Sequence, residues 1–128
     1  MTEKVKRPLG FVENPSFSSS WEAFGLPDDD LRMIQNEIMR RPQGFPVIPG
    51  TGGLRKMRFA PSAGAKGKRG ALRIGYVYFA EFELVLLVLA FHKSIRDDIS
   101  PAEKKVIRAI IHGQKQVLIR KARKGGRR

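Results

Sequence analysis

The sequence predicts an α+β fold, and three observations predict it. Helical periodicity dominates the first third, three consecutive strand-like segments fill the middle, and a strongly capped helix comes last. No strand–helix–strand alternation occurs in the strand-rich half, so an antiparallel meander is favoured over a doubly wound sheet.

Gly10-Phe11-Val12-Glu13 reads as a short strand, and Asn14-Pro15 as a turn after it. Ser18-Ser19-Ser20 then offers capping hydroxyls to a short helix around Trp21 and Phe24 that stops at Gly25. Residues 28–41 form the clearest early helix. Asp28, Asp29 and Asp30 stand where the helix dipole favours anions, and Arg40 and Arg41 where it favours cations. Leu31, Ile34, Ile38 and Met39 make its apolar face, and Pro42 ends it.

Residues 42–53 are rich in Pro and Gly and are expected to be irregular. Segments 54–60 and 71–79 read as strands. In the second, Leu72, Ile74, Tyr76 and Tyr78 alternate with Arg73, Gly75, Val77 and Phe79. Between them, 61–70 is a small-residue loop carrying Lys66, Lys68 and Arg69. Ala80-Glu81-Phe82-Glu83 closes a hairpin into 84–91, whose unbroken apolar run suits a central strand covered on both faces. Ser100-Pro101-Ala102-Glu103 is a capping box with Pro at the first helical position, and Val106, Ile107, Ile110 and Ile111 supply the stripe that follows. Gly113 is expected to end or weaken that helix. The domain is therefore drawn at 1–113, with 114–128 as a flexible basic extension.

Charge narrows the function. Against 12 Asp and Glu stand 25 Lys and Arg, a formal net charge of +13, so a polyanion is the expected partner. With no cysteine the chain has neither disulfides nor thiolate metal sites. The N-terminus lacks a signal peptide's apolar stretch, and no apolar run reaches the roughly 18–20 residues of a membrane helix. A cytoplasmic protein without a membrane partner is expected.

Cations gather in two acid-free intervals. The first, between Glu37 and Glu81, holds Arg40, Arg41, Arg55, Lys56, Arg58, Lys66, Lys68, Arg69 and Arg73. Strands carry part of it, so Arg58 and Arg73 are expected to face one fixed phosphate. The second follows Glu103 and runs to Arg128. As a loose tail it would add nonspecific, salt-sensitive affinity. Aromatics in the strands, Phe91 among them, could stack on an unpaired base.

Gly50-Thr51-Gly52-Gly53-Leu54-Arg55-Lys56 fails the Walker spacing and reads as a flexible turn feeding the basic strand. His92 and His112 are the only histidines, with no spaced carboxylates around them, so neither a metal nor another cofactor is expected. His92 follows the central strand and neighbours Lys93, which makes it the candidate general acid or base.

The segments from Ile48 to Phe59 and from Gly67 to Ile74 resemble the RelE/ParE toxin superfamily, and within it the HigB-like branch. The likeness extends from about Phe11 to about Ile111. It implies a RelE-like fold: a twisted, mainly antiparallel sheet of three to four strands, two early helices and a C-terminal helix. It also implies a type II toxin–antitoxin mRNA interferase, a metal-independent endoribonuclease cutting mRNA on the ribosome and neutralised by a helix-turn-helix antitoxin of the HigA kind. By position, Arg55, Lys56 and Arg58 match the family's first basic strand, Lys68, Arg69 and Arg73 the second, and Lys93 a basic residue beyond the last. Phe91 stands where relatives tend to have Tyr, His92 where they tend to have Gly, and Ile95 where an acid is usual. An inactive RNA- or ribosome-binding relative and a ParE-type gyrase inhibitor are the alternatives on the same fold.

Overall fold

A computed structural model describes residues 9–62, 71–96 and 98–126. The elements run β1 (Gly10–Glu13), α1 (Pro15–Phe24), α2 (Asp28–Arg40), β2 (Arg55–Phe59), β3 (Leu72–Phe79), a 3-10 turn (Ala80–Phe82), β4 (Leu84–His92) and α3 (Pro101–Gly126). This is the α+β arrangement expected. The four strands form one sheet in the order β1-β4-β3-β2. β2, β3 and β4 make an antiparallel meander, and β1 joins β4 in parallel.

Alternation along the strands sends two apolar sets to opposite faces. Met57, Phe59, Leu72, Ile74, Tyr76, Val85 and Leu87 pack with Phe17 of α1 and Ile34 and Ile38 of α2. Leu54, Val77, Phe79, Leu86, Val88 and Phe91 pack with Ile107, Ile111 and Leu118 of α3. The sheet is thus the middle of three layers. β4, flanked by β1 and β3, is covered on both sides, as its unbroken apolar sequence requires.

Two boundaries differ from the sequence expectation. α1 begins at Pro15 rather than after the serines, because Pro suits the first helical position, and it ends at Gly25 with φ 65°. α3 does not stop at Gly113. It continues to Gly126, and where a flexible extension was expected, Leu118 prolongs the buried stripe of Ile107 and Ile111. The helix runs through Gly113 unbroken, and space around this glycine is open. The capping box at its start forms as read: Ser100 N–H donates to Glu103 Oε1 at 3.0 Å, and Glu103 N–H to Ser100 Oγ at 3.1 Å.

One irregularity governs the far end of β4. Gly75 pairs with Leu89 but Tyr76 with Leu87, so Val88 is the extra residue of a β-bulge. Its carbonyl accepts from Ser16 Oγ at 2.7 Å and from Asn14 Nδ2 at 3.3 Å, both at the start of α1. The bulge reverses the alternation: Val85 and Leu87 face α1 and α2, yet Phe91, also odd-numbered, faces α3.

Candidate phosphate-binding row

Three expected residues meet in one cross-strand row. Arg58 of β2 pairs with Arg73 of β3, and Arg73 with Phe91 of β4. Strands lie about 4.8 Å apart, so the row spans roughly 10 Å. Arg58 sits on the edge strand and is exposed, whereas Arg73 and Phe91 are each 7% exposed. Lys56, two residues before Arg58, shares its face. The pleat thus sets two guanidinium groups directly opposite one another on neighbouring strands.

A fourth member went unnoticed in the sequence. The Arg96 guanidinium lies over the Phe91 ring, 4.4 Å from its centroid, and pairs with Glu103 at the start of α3. It lies between Glu83 and Glu103, outside both acid-free intervals, with Asp97 and Asp98 directly after it, so charge patterning does not single it out. The Arg96 hydrogen bond, aided by the Ser100 N–H, holds the Glu103 carboxyl below the usual carboxylate range.

Other expected residues stand elsewhere. Arg55 alternates to the α1/α2 face, level with Tyr76, and its Nη1 donates to the carbonyls of Gln43 (3.2 Å) and Phe45 (2.6 Å). It pins the loop after α2. Tyr76 does the same with a 2.7 Å bond from its hydroxyl to Pro42 O, and burial pushes its phenol up to about 12. His92 pairs with Leu72 and so alternates away from the row, with Nδ1 2.9 Å from Ser94 Oγ. Lys93 is exposed just past the strand, its backbone N–H bonded to Ala71 O. Lys66, Lys68 and Arg69 lie outside the described residues.

The glycine turn before β2 is more ordered than a flexible feed. Thr51, fully buried, donates to Ile48 O at 2.6 Å and accepts from Leu54 N–H at 3.0 Å. Gly50, Gly52 and Gly53 all take positive φ around it, a conformation only glycine adopts without strain.

Among the described residues no group of three or more His, Cys, Asp and Glu could hold a metal ion. No helix among them is long and apolar enough to cross a membrane. The side chains brought together on this face are two guanidinium groups on neighbouring strands and a buried aromatic ring that a third guanidinium covers. No family model matches the chain.

Proposed function

We propose that this protein is the toxin of a type II toxin–antitoxin pair, a cytoplasmic endoribonuclease that cuts mRNA on the ribosome without a metal. The observation that carries the reading is the Arg58–Arg73–Phe91 row, held on paired strands and flanked by Arg96. Cleavage through the RNA's own 2′-hydroxyl builds a crowded, doubly charged phosphorane. Fixed guanidinium groups stabilise such charge without reorganising, which a mobile cation cannot do. The sequence resemblance to RelE/ParE toxins supplies the toxin class and a helix-turn-helix antitoxin as partner.

In this reading Arg58 and Arg73 contact the scissile phosphate, and Lys93 beyond β4 contributes further charge. Lys56, Lys66, Lys68 and Arg69 draw in the flanking backbone. Ribosome-bound mRNA is the test substrate. An Arg73→Ala, Lys93→Ala double variant should abolish cutting, while chelator should leave the wild type active. Unchanged cutting by the double variant overturns the assignment. A small helix-turn-helix gene beside this one would support the toxin class independently.

One observation favours a second reading, a weakly active or inactive RNA-binding relative. Phe91 brings no hydroxyl to the row, and His92, the candidate proton carrier, alternates to the opposite face. Growth arrest on expression with mRNA cutting decides for the nuclease; ribosome binding without cutting decides for the relative.

A further inference from the structure

α3 is a 26-residue helix, about 39 Å long at 1.5 Å per residue. Leu118 is its last buried residue, so two further turns project beyond the core. From Pro101 to Gly126 it carries Lys104, Lys105, Arg108, Lys115, Arg120, Lys121, Arg123 and Lys124 against a single acid, Glu103, which is committed to Arg96. Among the described residues none of these eight cations forms an ion pair with a carboxylate. Like charges three and four residues apart destabilise a helix. A projecting helix of this composition is therefore built against its own stability.

The cations are also ordered. At 3.6 residues per turn Lys104, Arg108, His112 and Lys115 fall on one side, with Lys105 and Arg123 bordering it. From Lys104 to Arg123 this side runs roughly 28 Å. It lies along the ordered glycine turn: Arg108 Nη1 donates to Gly50 O at 2.5 Å, and Lys115 lines a cleft with Gly52, Gly53 and Arg55. The near end is thereby fastened to the turn that leads into β2, the strand of Arg58.

We propose that this side of α3 is a rigid track for the sugar–phosphate backbone of RNA outside the cleavage site. The track rests on the RNA reading above but is separable from cutting. Its sign, length and lack of internal pairing suit a string of phosphates, and its attachment beside β2 gives it a fixed relation to the row. A tail of equal charge would attract the same RNA with no fixed relation to the cut.

Binding of a fully 2′-O-methylated RNA longer than the track, which cannot be cleaved through its 2′-oxygens, tests the proposal across a salt series. A Lys105→Gln, Lys115→Gln, Arg123→Gln variant should bind on the order of tenfold or more weakly at moderate salt. Its slope of log affinity against log salt should fall by about 2, from three lost phosphate contacts on a single strand. Cutting of a short substrate that covers only the row should be unchanged at saturation. Gly113→Pro, which keeps every charge but breaks the helix, should also weaken binding, whereas Gly113→Ala should not. Unaltered affinity and slope in the triple variant overturn the track, and so does wild-type affinity in Gly113→Pro. Equal, equally charge-dependent binding to vesicles of anionic phospholipid would instead assign the helix to a membrane surface. If the wild type neither binds nor cuts RNA, the nuclease reading fails as well; if it does both and the triple variant binds as the wild type does, the track alone fails.

Discussion

Arg96 is clamped between the ring of Phe91 and the carboxylate of Glu103, and so joins the end of β4 to the first turn of α3. Replacing Arg96 by Ala removes one cation–π contact and one half-exposed ion pair. The expected loss is about 1 kcal/mol, a drop in Tm of roughly 3–5 °C. Arg96→Lys should recover only part of it, since an ammonium cannot stack as a planar guanidinium does. Thermal denaturation of the three proteins checks this.

The same clamp makes stability pH-dependent. Its folded carboxyl is held low by Arg96 and then by the Ser100 N–H, so folding favours ionised Glu103. That contribution is complete above the ordinary Glu value of about 4.3 and is lost as pH falls through the lower folded value. Tm of the wild type should therefore decline from about pH 5 downward, and Glu103→Gln should lose the part of that decline due to this group. Parallel curves for the two proteins would contradict the assignment.

Neighbouring arginines should separate activity from stability. Arg58→Ala removes an exposed guanidinium from the row and should cut cleavage roughly 100-fold or more with little change in Tm. Arg55→Ala should do the reverse, because its two carbonyl contacts hold the loop after α2. A cost of about 1–2 kcal/mol is expected. Rates at saturating RNA, read beside melting curves, distinguish the two.

Two glycines should respond oppositely to alanine. At Gly113 an added methyl meets nothing within 4 Å, and the helix should gain up to about 1 kcal/mol. At Gly75 it would meet Leu54 and Leu89 side chains at 3.2 Å, and crowding should cost about 1–3 kcal/mol. Denaturant midpoints measure both.

Ser16 and Asn14 should matter to cutting through the bulge rather than through the row. Together they satisfy the Val88 carbonyl that the bulge leaves outside the ladder. An Asn14→Ala, Ser16→Ala variant is expected to lose about 1–3 kcal/mol and to cut more slowly even well below its Tm. Wild-type rates in the folded variant would show that the bulge holds without them.

Much of the fold was legible because its signals are local. The capping box at Ser100 and Glu103, the apolar run of β4 and the Arg73 alternation each need only a few residues to be recognised. That Arg58 and Arg73 share a sheet face was expected from the alternation in two strands; that they stand directly opposite one another is set by the register, which alternation does not report. The rest depended on distant partners. Arg55 and Arg58 look alike in sequence, and the pleat alone sends one to a structural loop and the other to the row. Asp30 read as one of three helix-opening acids, yet it is fully buried and accepts a 2.6 Å bond from Ser62 Oγ, thirty-two residues away. The continuation of α3 past Gly113 turned on whether Leu118 found a core, which periodicity cannot report.

The bulge at Val88 is in effect a selector. Ala90 and Phe91 are adjacent, and a strand can set only one of them beside Arg73. With Val88 taken up as the extra residue it sets Phe91 there; the same β4 paired from the same start without the bulge would set Ala90 opposite Arg73 and turn Phe91 to the α1/α2 face. One residue left out of the ladder thus decides whether Arg96 finds a ring to stack on at the end of the strand.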